Sequence, residues 1–76
     1  MSHTTVVDVL GMTCGHCVKA VTREVSALGG VRDVHVVLRP DRPSTVTVAS
    51  DRALEEDALR TAVDEAGYQV DAVHAG

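Results

Sequence analysis

Thr4-Thr5-Val6-Val7-Asp8-Val9-Leu10-Gly11-Met12-Thr13-Cys14-Gly15-His16-Cys17-Val18 is the stretch on which the reading of this chain turns. Residues 4–10 alternate as a strand does, with Val7 and Val9 on one face and Asp8 on the other. Gly11 ends that strand, and residues 12–16 form a loop. From 16 to 28 the spacing becomes helical. Val18, Val21, Val25 and Leu28 make an apolar stripe, while Lys19, Thr22, Arg23 and Ser26 face away. A strand, a loop holding two cysteines and a helix therefore open the chain.

The pattern continues outward. Gly29-Gly30 stop the helix, one of them in a left-handed conformation. Residues 31–38 alternate again, with Val34, Val36 and Leu38 opposite Asp33, His35 and Val37. Arg39-Pro40-Asp41-Arg42-Pro43 is a turn, since proline donates nothing to a ladder. Val46 and Val48 alternate with Thr45 and Thr47 in a third strand. Asp51 is expected to cap a second helix whose first turn carries Glu55, Glu56 and Asp57, where the helix dipole favours negative charge. Leu59, Ala62, Val63 and Ala66 form its buried stripe, Gly67 ends it, and residues 68–73 form a last strand. The order βαββαβ predicts an α+β, ferredoxin-like sandwich: a four-stranded antiparallel sheet with both helices on one face.

Seventy-six residues make a single domain, 1–76, whose core contributes only about 3–5 kcal/mol unless a metal or a disulfide adds to it. That core must be built from small residues, because there is no Trp, no Phe and one Tyr. Seven Lys and Arg against eleven Asp and Glu give a net charge of −4. A nucleic-acid binder needs a basic face and stacking aromatics, and neither is present. No stretch approaches the roughly 18 apolar residues of a membrane span. The N-terminus lacks the basic and apolar regions of a secretory signal, so a soluble cytoplasmic protein is expected. No Ser-His-Asp set, paired carboxylates or phosphate-cradling glycine loop is evident, so no enzyme activity is expected.

Chemistry concentrates on Cys14 and Cys17. Two intervening residues let both sulfurs converge at the start of a helix, where unpaired N–H groups and the dipole favour thiolate. Thiolate is the form that binds metal. Two soft sulfurs with no third clustered ligand suit a soft ion of low coordination number, Cu(I) above all. Structural zinc wants four ligands, and His3, His35 and His74 lie elsewhere along the chain. The tetrapeptide Cys14-Gly15-His16-Cys17 also resembles the active site of protein disulfide isomerases. That alternative, a thiol-disulfide oxidoreductase, lacks the aromatic residue before the first cysteine, where Thr13 stands. Its two prolines fall together in the turn rather than facing the thiols.

Gly11-Met12-Thr13-Cys14-x-x-Cys17, together with the βαββαβ order, resembles the heavy-metal-associated family of copper chaperones and metal-binding domains of copper-transporting ATPases. The resemblance runs through essentially the whole chain. It implies that Cys14 and Cys17 ligate Cu(I), that Met12 packs beneath the loop as a core anchor, and that Gly67-Tyr68 is a second loop near the metal. Thr13 matches the copper branch, because zinc- and cadmium-selective relatives often carry an acidic residue there. A mercury or other soft-metal carrier shares the motif and stands as the remaining alternative. His16 is read as a solvated loop residue, as a group tuning the thiols, or as a third, weak ligand. Lys19 and Arg23, exposed on the first helix, are read as a solvated face or as docking residues for an acidic partner. The implied partner is the metal-binding domain of a copper-transporting P-type ATPase or a copper-responsive regulator. The chain is expected to be monomeric without metal, with copper able to bridge two copies.

Overall fold

The computed structural model describes residues 3–12, 15–39 and 41–75. Thr13, Cys14 and Pro40, singled out above, lie outside the described residues. Four strands and two helices follow in the order β1 (His3–Leu10), α1 (Gly15–Ser26), β2 (Val31–Val37), β3 (Ser44–Ser50), α2 (Glu56–Glu65) and β4 (Gln69–Ala75). They form one antiparallel sheet ordered β2-β3-β1-β4. This is the ferredoxin-like sandwich expected from the alternation of the strands.

β1 is central, pairing with β3 on one side and β4 on the other. Val7 opposes both Val46 and Val73, and Val9 opposes Ser44 and Val70. Because alternate residues share a face, Val7, Val9, Val46 and Val48 all turn to one side, each essentially without exposure. Cys17, Val21 and Val25 of α1 and Leu59, Ala62 and Val63 of α2 are buried against that side. The core is thus a valine layer under two helices, and Leu59 and Met12 are its largest fully buried side chains.

β3 is bracketed by two buried serines, Ser44 and Ser50. Burying a hydroxyl costs stability unless it is hydrogen-bonded. Ser44 Oγ accepts from the Arg39 amide at 2.9 Å, and Ser50 Oγ donates to the Arg52 carbonyl at 2.7 Å. Each serine therefore ties one end of the strand to its adjoining turn.

Three expectations are corrected. α1 begins at Gly15, not at 16, and closes at Ser26. Its buried stripe is led by Cys17, while Val18 and Leu28 are only partly buried. Asp51 does not cap α2. That helix starts five residues later with Glu55 at its N-cap, and no side chain bonds the cap. The Asp51 carboxylate instead accepts from Arg32 at 2.9 Å, bridging the turn after β3 to β2. Similarly, the last strand starts at Gln69, because the Tyr68 amide is tied to Val63 in the turn that follows α2.

Candidate metal site

β1 carries the chain to Gly11, whose φ of +86° is a left-handed conformation that side chains disfavour. The turn it makes sends Met12 inward, where it is 2% exposed and part of the core cluster. Met12 is thus a core residue placed just before the two-cysteine segment. The chain re-emerges as α1 at Gly15, and Cys17 lies in the first helical turn.

Cys17 is itself 5% exposed and packs with the core. Cysteine is a good small apolar filler, and position 17 sets up the i, i+4, i+8 stripe with Val21 and Val25. Its sulfur is thus held by the fold rather than left on a loose side chain. The N-terminal end of α1 carries no acidic residue in its first turn. The partial positive charge of the macrodipole is consequently not answered by a carboxylate there. His16, one residue earlier, is exposed. Among the described residues no three His, Cys, Asp or Glu side chains come together in a further metal cluster.

The second approach to this loop comes from α2. Tyr68 N–H donates to the Val63 carbonyl at 3.1 Å and Gly67 N–H donates to the Asp64 carbonyl at 2.9 Å. With Gly67 at φ +94°, these bonds form a Schellman end to the helix. The motif turns Tyr68 back over β1: its Cδ1 lies 3.6 Å from where a Cβ on Gly11 would stand. The structure therefore brings Tyr68, which is partly buried, to the base of the cysteine loop. Gly67→Ala meets no steric neighbour, so its cost is backbone strain alone, about 1–2 kcal/mol. A urea midpoint lowered by that amount, with a smaller loss for Gly67→Asn, is the expected result.

Lys19 and Arg23 are both exposed on α1. At 1.5 Å per residue they stand about 6 and about 12 Å along the axis from Gly15. Lys19 is thus within about one screening length of the loop, and Arg23 is farther out.

The heavy-metal-associated domain model matches residues 6–69. The chain belongs to this family. The copper chaperone CopZ of Bacillus subtilis (strain 168) is 40% identical over 63 residues, spanning 83% of this chain and 88% of its own. A solved CopZ metallochaperone superposes with a TM-score of 0.74 at 28% identity, covering 88% of this chain and 97% of its own. The N-terminal domain of ZntA shares the fold at a TM-score of 0.77 and 24% identity, over 100% of this chain and 94% of its own. That last likeness is one of fold alone.

Proposed function

We propose that the chain is a cytoplasmic Cu(I) chaperone. It binds one copper between Cys14 and Cys17 and passes it to the metal-binding domain of a copper-transporting P-type ATPase or to a copper-responsive regulator. The observation that carries this reading is the position of Cys17, in the first turn of α1 five residues after the buried Met12, in a chain 40% identical to a copper chaperone. Copper chaperones are carriers rather than enzymes, and the chain is assigned no catalytic residue. No helix among the described residues is long and apolar enough to cross a membrane.

The mechanism is ligand exchange. A Cu(I) ion held by two thiolates has open coordination positions, so an incoming cysteine of the partner can bind before either original sulfur leaves. A three-coordinate bridge then resolves in either direction, and copper is never released to water. Met12 holds the loop from beneath, Tyr68 closes its base, and His16 tunes the thiols electrostatically. Lys19 and Arg23 orient an acidic partner. The apo chain is monomeric, and copper can bridge two copies through the same exchange chemistry.

Anaerobic titration of the reduced protein with Cu(I) and with Zn(II), each against a competing chelator, tests the metal assignment. One chelator-resistant Cu(I) per monomer, with Zn(II) held far more weakly, is expected; preferential retention of Zn(II) would overturn it. Stopped-flow transfer to an ATPase metal-binding domain tests delivery. The observed rate should climb with partner concentration and slow as salt is raised. A rate pinned at spontaneous Cu(I) dissociation would mean that copper travels through solution.

A further inference from the structure

The outer surface of the helical layer carries a shallow, open cleft between α1 and α2. Its floor is apolar: Ala62 is buried, and Ala58 and Leu28 are half-buried. Four carboxylates line it, Glu24 from α1 with Glu55, Asp57 and Glu65 from α2, and no Lys or Arg does. None of the four forms an ion pair among the described residues, whereas the neighbouring Glu56 is bonded to Arg60 at 2.8 Å.

Helix stability explains only half of this charge. Glu55 and Asp57 sit at the N-terminal end of α2, where the macrodipole favours an anion. Glu65 is the last residue of α2, which has no basic residue in its final turn, and Glu24 lies in the last turn of α1. An anion at a helix C-terminus is disfavoured. Those two residues therefore work against their own helices and gain no compensating ion pair among the described residues. Along α2 the acidic rim extends about 15 Å, the length of three turns of helix. The alanine floor leaves room for a backbone to approach closely.

We propose that this cleft docks a cationic segment of a partner protein, an amphipathic stretch whose Lys or Arg side chains pair with the rim while small apolar residues cover Ala58 and Ala62. The counter-charge missing at Glu24 and Glu65 is supplied by that segment. None of residues 11–17 lines this surface, and its charge does not depend on what metal the loop carries.

The test uses the full chain and a synthetic 12-residue helical peptide of Lys, Ala and Leu, with a Glu-for-Lys counterpart. Chemical-shift mapping should confine the response to the Lys peptide to residues 24–28 and 55–65, with no response to the Glu peptide. Glu24→Lys/Glu65→Lys reverses charge where the dipole favours cations, so it should fold at least as well. It should bind the Lys peptide at least about 5-fold more weakly, because attraction is replaced by repulsion at two sites. Unchanged affinity in that variant would overturn the proposal, as would shifts scattered over every acidic residue of the surface. Sedimentation of the chain alone provides the remaining arm. Self-association abolished by the same two substitutions would assign the cleft to a second copy of this chain and overturn the partner-segment reading.

Discussion

Cys14→Ser/Cys17→Ser should leave no chelator-resistant Cu(I) on the protein. A serine hydroxyl is a hard, neutral donor and cannot replace a thiolate for a soft monovalent ion. No alternative set of three His, Cys, Asp or Glu side chains exists among the described residues to take over. The fold has to survive for the result to mean anything. Cys17 is 5% exposed, so serine there buries a hydroxyl, at about 1–3 kcal/mol if it goes unpaired. Cys14→Ser/Cys17→Ala avoids that cost and should lose copper equally while keeping its circular dichroism. Chelator competition reads the binding in both variants, and undiminished affinity in a folded double variant would refute the two-cysteine assignment.

The difference between those two variants shows why part of the site could be read from sequence and part could not. The spacing of Cys14 and Cys17 and the switch from alternation to helical period put the pair at a strand-helix junction. Burial of Cys17 was less visible, because Val18 gives the same 3.6-residue period with Val21, Val25 and Leu28. Shifting the stripe by one residue costs the pattern nothing, and only packing against the sheet chooses between them. Helix α2 shows the same degeneracy. From Asp51 onward every residue tolerates a helix, so the sequence offers an early start. One competing interaction is tertiary, Asp51 drawn to Arg32, and one is local, Ser50 Oγ donating to the Arg52 carbonyl. The residues that follow remain outside the helix up to Glu55, whose backbone is extended.

Tyr68 is a case where local chemistry did reach the site. Gly67 was legible as a helix stop, and a Schellman end fixes where the next residue goes. What local chemistry does not fix is that β1 lies beside β4, so that this residue meets Gly11; the expectation that Gly67-Tyr68 approaches the loop comes from the family resemblance. Strand order is set by the way the two βαβ halves interleave under one helical layer. Alternation alone carries no information about which strands are neighbours.

Leu59→Ala should do the reverse of the cysteine substitutions, removing the fold while sparing much of the metal chemistry. Leu59 has no exposure in a core otherwise dominated by valine, and α2 has only Ala62 and Val63 to bury beside it. Truncating a buried leucine costs about 2–5 kcal/mol, the cavity included. A domain of this size has about 3–5 kcal/mol to lose, so the apo variant should be largely unfolded at 37 °C. A ligand that bound only the native state would restore it in proportion to ligand excess over Kd. The two proposed ligands, Cys14 and Cys17, are three positions apart in sequence and can close on one soft ion in an unfolded chain too, which cuts that rescue short. Urea melts with and without one equivalent of Cu(I) should therefore show a large loss of midpoint in Leu59→Ala and only a partial return. Complete recovery on copper loading would mean that the folded sandwich, and not the cysteine pair alone, supplies most of the affinity.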